Sequence, residues 1–332
     1  MIISKTPFRI SFFGGGTDYP DWYRQHGGQV LSTTIDKYCY ISVRYLPQFF
    51  EHKYRIVYSL IENVKHIQEI QHPSVREVLN FLHCEKGLEI HHDGDLPARS
   101  GLGSSSSFTV GLLNALYALK GRYQSSSQIA KTSIHIEQNI IREHVGSQDQ
   151  VSAAYGGFNK IEFYEDDHFE VNPIIIPKDK MNQLCGHMML FFTGISRLAT
   201  EIAKSKIENF SKRENELKKM SSMVDEAMKI LTGDNSEITE FGELLHESWQ
   251  LKRKLSDKVS TNFIDEIYAT ARKAGATGGK ILGAGGGGFL LIFAPPEKQP
   301  AILEKLSHLT YVPFNFDKTG SRIVLYNENG EM

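Results

Sequence analysis

One stretch leaves this chain less freedom than any other: Leu96-Pro97-Ala98-Arg99-Ser100-Gly101-Leu102-Gly103-Ser104-Ser105-Ser106-Ser107, running straight into Phe108, Val110, Leu112, Leu113 and Leu116. The apolar spacing predicts a helix over residues 104–119, entered from a loop over residues 95–103. Two glycines let the backbone approach another group closely, and the serines sit where the helix N–H groups have no intrahelical partner. Such a terminus favours a polyphosphate, and serine hydroxyls suit phosphate oxygens or Mg²⁺. A flexible turn with a serine cap is the plainer alternative, but an apolar helix directly downstream argues against a linker. The pattern GxxxxGK[ST] is absent, so this is not a Walker loop, and the catalytic-loop and DFG signatures of protein kinases are absent too.

With 332 residues, two domains are expected at about 100–200 residues each, with one large α/β domain as the alternative. A formal net charge of −2 forces no basic face, so nucleic acid is not an expected partner. Cys39, Cys84 and Cys185 lie far apart and form no CxxC pair, which suggests neither a disulfide framework nor a thiolate zinc site. The first residues lack the pattern of a signal peptide, and no apolar run approaches the ~18 residues of a membrane span. A cytoplasmic protein without a membrane partner is expected, with a homodimer left open.

Strands are expected over residues 2–13, 30–46, 54–59 and 88–92, and helices over 18–26, 73–85 and 126–142. Residues 146–150 read as a loop, followed by strands over 157–164 and 169–176. Pro173 and Pro177 bracket a domain boundary. Beyond it come a strand over 185–193, a charge-rich helical block over 199–256 and a helix over 261–274. Strands over 279–282, 288–293 and 322–326 and a helix near 297–306 complete the chain. The charged helices read as solvated faces and a substrate lid. His91 and His92 invite a metal site, but adjacent strand residues point to opposite faces.

Two further glycine clusters flank the serine loop. In Phe8-Arg9-Ile10-Ser11-Phe12-Phe13-Gly14-Gly15-Gly16-Thr17-Asp18 a strand feeds a turn that ends in a carboxylate suited to substrate hydroxyls. In Gly283-Ala284-Gly285-Gly286-Gly287-Gly288 a GxGxxG match appears, but strands on both sides exclude a dinucleotide fingerprint, which needs a following helix.

In this order the three clusters resemble the motifs of the GHMP kinases, the small-molecule family named after galactokinase, homoserine kinase, mevalonate kinase and phosphomevalonate kinase. The resemblance runs from Pro7 to Phe289. It implies an α+β, two-domain fold: an N-terminal ribosomal-protein-like βαβ domain with a left-handed crossover, about residues 1–178, and a ferredoxin-like C-terminal domain, about 179–332. The active site lies between them, with ATP and Mg²⁺ as cofactors. Pro97, Gly101, Leu102, Gly103, Ser104, Ser105, Ser106 and Ser107 match the ATP-binding motif. Ser105 and Glu137 match the Mg²⁺ positions. Asp149, in Gly146-Ser147-Gln148-Asp149-Gln150, resembles the catalytic aspartate, with Gln148 where galactokinase has methionine. Arg9 matches the basic residue that steadies that aspartate and the moving phosphoryl group. Positioning and charge neutralisation are what phosphoryl transfer chiefly requires.

Gly15, Gly16, Thr17, Asp18, Gly285, Gly286 and Gly287 are expected to border the substrate. Galactokinase has Gly-Glu-His-Thr-Asp where this chain has Gly14-Gly15-Gly16-Thr17-Asp18, which argues against galactose. The triple-glycine version resembles the bacterial heptose 7-phosphate kinases, which act on the anomeric hydroxyl of D-glycero-D-manno-heptose 7-phosphate. Arg197, in Phe192-Thr193-Gly194-Ile195-Ser196-Arg197, is a candidate for the distal phosphate, because a guanidinium matches phosphate bidentately. A kinase of another sugar such as fucose, or a non-catalytic member that binds a sugar or nucleotide, are the alternatives.

Overall fold

A computed structural model describes residues 1–194, 199–233 and 236–327. The first half begins with β1 (Ile2–Phe13), α1 (Pro20–His26), β2 (Gly28–Tyr45), β3 (Tyr54–Val57) and β4 (Ile61–Val64). It continues with α2 (Pro73–Phe81), β5 (Leu88–Gly94), α3 (Ser104–Leu119), α4 (Ser126–Ile134), α5 (Gln148–Tyr155), β6 (Phe158–Phe163) and β7 (Phe169–Pro173). The second half holds α6 (Lys178–Gly186), β8 (Met188–Phe192), α7 (Ala199–Ile207), α8 (Glu214–Thr232), α9 (Ile238–Lys254) and α10 (Asn262–Lys273). It ends with β9 (Gly278–Ile281), β10 (Phe289–Phe293), α11 (Gln299–Lys305), β11 (Thr310–Tyr311), β12 (Phe316–Asp317) and β13 (Arg322–Tyr326).

β2 organises the larger sheet, which runs β13-β1-β2-β5-β3-β4, with β6 and β12 also on β2 and β7 on β6. Among the described residues only β3 and β5 pair in parallel; the other pairs of this sheet are antiparallel. The smaller sheet, β11-β8-β10-β9, is antiparallel throughout. Burial alternates along the start of β1 and then becomes continuous from Thr6 to Phe13. That change follows from packing: α3 and α5 lie against this strand, as do α8 and α9. Arg9 and Ser11 are thereby carried into the interior between the layers.

Among the described residues, the largest buried cluster spans both sheets, while the other face of the smaller sheet packs in a cluster of its own. Phe12 and Phe13 of β1 meet Phe241 of α9 at centroid distances of 5.6 and 5.1 Å, and Phe241 meets Phe293 of β10 at 5.6 Å. The first two pairs are edge-on and the third tilted, and such contacts add to the area they bury. The chain also crosses between the sheets twice, because β12 and β13 return to β2 and β1. The expected second segment, 179–332, therefore does not stay in one sheet.

Candidate active site

The guanidinium of Arg9 is the centre of the site. Its Nε donates to Asp149 Oδ1 at 2.7 Å and Nη2 to Asp149 Oδ2 at 2.8 Å, while Nη1 donates to the Gly101 carbonyl at 2.8 Å. The Arg9 backbone N–H donates to the Leu102 carbonyl at 3.0 Å. One residue thus joins the first glycine cluster's strand, the serine loop and the Asp149 segment. The arginine is 4% exposed and Asp149 26%, so the carboxylate is the member that faces the opening.

Asp149 stands in the first turn of α5, where a loop was expected. Carboxylates are favoured there by the helix dipole. The Ser-Gln-Asp-Gln start is too polar and α5 too short for periodicity to reveal a helix.

α3 begins where the sequence predicts, with Gly103 at φ 74° as its N-cap. The first intrahelical bond is that of Ser107 N–H to the Gly103 carbonyl, 2.9 Å, so the N–H groups of Ser104, Ser105 and Ser106 precede the ladder. The hydroxyls divide differently from expectation. Ser104 Oγ accepts from Arg99 N–H at 3.0 Å, and Ser107 Oγ donates to the Pro7 carbonyl at 3.0 Å. Of the expected pair Ser105 and Glu137, the structure brings Glu137 to Ser106: Ser106 Oγ donates to Glu137 Oε2 at 2.8 Å, whereas Ser105 is exposed. Ser106 and Ser107 are the two serines turned inward, and Ser106 is the one that meets Glu137. Leu102 is buried and Pro97 exposed at the loop's outer edge.

The expected helix 126–142 continues past Ile134 as a π-helical segment, His135–Ile140, which carries Glu137. Such bulges are frequent at functional sites. The Glu137 carboxylate also accepts from Gln150 Nε2 at 2.5 Å. Burial raises its pKa to about 7, partly offset by hydrogen bonds from Thr109, Ser106 and Gln150. Among the described residues no cation is hydrogen-bonded to it.

The late glycine cluster joins β9 and β10 as an antiparallel hairpin and lies against the serine loop. Phe289 N–H donates to the Ser100 carbonyl at 3.1 Å. A Cβ on Gly283 would stand 2.5 Å from Gly101 Cα, so only glycine permits this approach. Gly285 packs on Val259, and Gly286 N–H donates to the Val259 carbonyl at 2.8 Å. Gly287 is buried in the same turn.

Asp18 is 1% exposed. Its Oδ1 accepts from Gly16 N–H at 2.8 Å, and Gly146 passes so close that a Cβ there would lie 1.9 Å from Oδ2. Burial raises its pKa, and the nearby Asp149 raises it further. Thr17 Oγ1 donates inward to the Gly14 carbonyl at 2.8 Å, so it braces the turn, while Gly15 borders the opening. Arg197 lies outside the described residues.

Three lysines that sequence reasoning passed over lie buried within the influence of Asp18. Lys206 and Lys252 lie in the charged block read as solvated faces, yet both are buried, as is Lys280. Lys252 Nζ donates to the Ile281 and Gly283 carbonyls, both at 2.7 Å, and Lys280 Nζ to the Phe12 carbonyl at 2.7 Å. Burial lowers the pKa of all three, to about 7 for Lys280 and about 8 for Lys206. The correction has a physical reason: buried carboxylates and carbonyls supply partners that a helical charge pattern does not show. The one available sign is Lys280, a lone cation beside apolar Ile281 and Leu282. His91 pairs with Glu89 at 2.9 Å, whereas His92 meets Phe108 edge-on, in keeping with opposite faces.

Residues 64–157 match the family described as GHMP kinases N terminal domain, and residues 226–311 match GHMP kinases C terminal. The chain is 30% identical over 331 residues to D-glycero-alpha-D-manno-heptose 7-phosphate kinase of Campylobacter jejuni, covering 96% of this chain and 97% of that protein. It is 25% identical over 328 residues to the bifunctional fucokinase/GDP-fucose pyrophosphorylase of Arabidopsis thaliana, covering 91% of this chain and 31% of that protein. Among solved structures, a D-glycero-D-manno-heptose 1-phosphate kinase from Bacteriodes thetaiotaomicron shares the fold, with a TM-score of 0.72, 24% identity, and coverage of 97% of this chain and 98% of that one.

Proposed function

The chain belongs to the GHMP kinase family and is an ATP-dependent sugar kinase, and on that premise we propose that it phosphorylates the anomeric hydroxyl of D-glycero-D-manno-heptose 7-phosphate to the 1,7-bisphosphate. The observation that carries the kinase chemistry is the Arg9–Asp149 fork, set against the N-terminus of α3 and beside Asp18. The 30% identity, over an alignment that covers 96% of the chain, to a heptose 7-phosphate kinase favours the heptose. The side-chain-free Gly14-Gly15-Gly16 turn also favours a substrate larger than galactose.

In this reading the N–H groups of Ser104, Ser105 and Ser106 receive the phosphates of ATP. Both oxygens of Asp149 accept from Arg9 and each keeps capacity for one further donor, so the acceptor hydroxyl donates to Asp149. The hydroxyl oxygen forms its bond to the γ-phosphorus as the bond to the bridging oxygen of ADP breaks, and the proton passes to Asp149. Arg9 keeps the carboxylate aimed and offsets charge on the moving phosphoryl group.

A buried carboxylate and a hydroxyl, with no cation bonded to the carboxylate among the described residues, are hard oxygen donors of the type Mg²⁺ takes. Glu137 and Ser106 would hold the ion, which when bound neutralises charge on the terminal phosphates.

The test is ADP release with D-glycero-D-manno-heptose 7-phosphate, the unphosphorylated heptose, L-fucose, D-galactose and mevalonate. The heptose 7-phosphate is expected to give the highest kcat/KM. Asp149→Asn is expected to lower kcat about a thousandfold with ATP affinity retained. A preference for L-fucose would favour the alternative that the Arabidopsis relative suggests. Normal turnover by Asp149→Asn would remove that residue from its role.

A further inference from the structure

Lys206 takes no part in the chemistry described above, yet it is placed for contact with the acceptor. Its helix, α7, is fixed to the body of the protein from two sides. Ala203 and, just beyond the helix, Phe210 are buried in a cluster with Tyr19, Trp22, Leu217, Met220 and Leu255. Ser205 Oγ and Ser256 Oγ share a hydrogen bond of 2.8 Å, and Asn209 Nδ2 donates to the Leu255 carbonyl at 3.2 Å. This docking puts the Lys206 ammonium 5.4 Å from the centre of the Tyr19 ring, next to Asp18.

The side chain is 4% exposed, and among the described residues no acceptor lies within hydrogen-bond distance of its ammonium. Lys252 and Lys280, by contrast, are tied to carbonyls. Burial pushes Lys206 down to about 8, opposed first by Asp18 and then by Asp149. The cation thus feels both carboxylates, Asp18 the more strongly.

Two more polar groups at this place lack partners. Gln148 is 8% exposed and Ser11 6%, and neither Gln148 Oε1 nor Ser11 Oγ has a hydrogen-bond partner. Both side chains flank Gly15: a Cβ there would lie 3.5 Å from Ser11 Oγ and 3.6 Å from Gln148 Nε2. Buried polar groups left without partners call for an explanation, and a ligand is one. A cation without an acceptor and an amide oxygen without a donor, beside a buried carboxylate, match a ligand with several hydroxyls, each of which donates and accepts.

We propose that Lys206 and Gln148 complete the acceptor subsite around Asp18: Lys206 donates to one hydroxyl of the sugar and Gln148 Oε1 accepts from another. The inference rests on the reading of the Asp18 turn as the acceptor side. It makes both residues determinants of sugar choice, while ATP is held elsewhere.

Kinetics of Lys206→Met, Lys206→Arg and Gln148→Met, with D-glycero-D-manno-heptose 7-phosphate and its 2-, 3- and 4-deoxy analogues, test it. Lys206→Met should raise KM for the sugar at least tenfold and leave KM for ATP within twofold, with Lys206→Arg recovering most of the loss. For one deoxy analogue, the penalty seen with the unaltered chain should largely vanish in Lys206→Met, and for a different one in Gln148→Met. An unchanged sugar KM, equal rises in both KM values, or equal losses for all analogues would overturn the proposal. Should Lys206→Met fail to fold, Gln148→Met and Lys206→Arg carry the same comparison. If the unaltered chain turns over no sugar, the preceding reading fails instead, and calorimetric titration of the same sugars into these variants decides on Lys206.

Discussion

At the scale of single residues, Glu137 shows what burying a carboxyl does to stability. A carboxyl raised from the usual 4.5 to about 7 by burial binds a proton in the folded chain that the unfolded chain has already lost. Between those two values the folded state holds more protons, so stability falls as pH rises from about 4.5 to 7 and stays low above. The shift corresponds to something on the order of 3 kcal/mol. Glu137→Gln keeps the shape and removes the charge. In EDTA, urea unfolding at pH 5 and pH 8 should show the variant gaining on the unaltered chain by a few kcal/mol at the higher pH. Equal differences at both pH values would mean that Glu137 carries no buried charge. Part of this was legible in the sequence. Arg9, Asp18, Glu137 and Asp149 were singled out by motif, and the structure brings Arg9 and Asp149 into one ion pair beside Asp18. Ser106 displaced Ser105 at Glu137, because a run of four serines gives no sign of which hydroxyl faces inward. The buried lysines stayed hidden because a cation's burial depends on partners distant in the chain.

At the scale of elements, boundaries were legible where glycine or proline punctuates an apolar pattern. β1, α3 and β13 begin and end as the sequence predicts. α6 was missed because it buries only Leu184, leaving no apolar face to detect. β11 and β12 are two residues each and exist only through their partners in β8 and β2. The hairpin between β9 and β10 is where an element's geometry governs the chemistry. Gly283 sits at φ 64° against Gly101, so Gly283→Ala must strain its own backbone and push back the loop that carries Gly103. A loss of about 3 kcal/mol is expected. It should appear as a lower melting temperature together with a raised KM for ATP, although residue 283 makes no proposed contact with the nucleotide. A fall in stability with ATP binding untouched would show that the two loops are not coupled.

At the scale of the whole molecule, the chain has the two-domain family fold, and the largest of its buried clusters among the described residues spans both sheets. The Phe12–Phe241–Phe293 contacts and the return of β12 and β13 to the first sheet join the halves. Calorimetry should therefore show a single transition, with calorimetric and van't Hoff enthalpies in agreement. Two resolved transitions would contradict the shared core. This joining was not legible in the sequence, where Pro173 and Pro177 read as a boundary and nothing signals that residues 316–326 pair with strands some 300 positions earlier.

The contact between Gly101 and Gly283 also has a genetic meaning. What blocks a side chain at 283 is the backbone of Gly101, what blocks one at 101 is the backbone of Leu282, and no change of side chain elsewhere can trim a backbone. A defect introduced at either glycine should therefore be repaired by reversion alone: a suppressor screen begun from Gly283→Ala is expected to return glycine at 283 and no second-site rescue within the serine loop. The two motifs, 182 positions apart in the chain, are in this respect inherited as one.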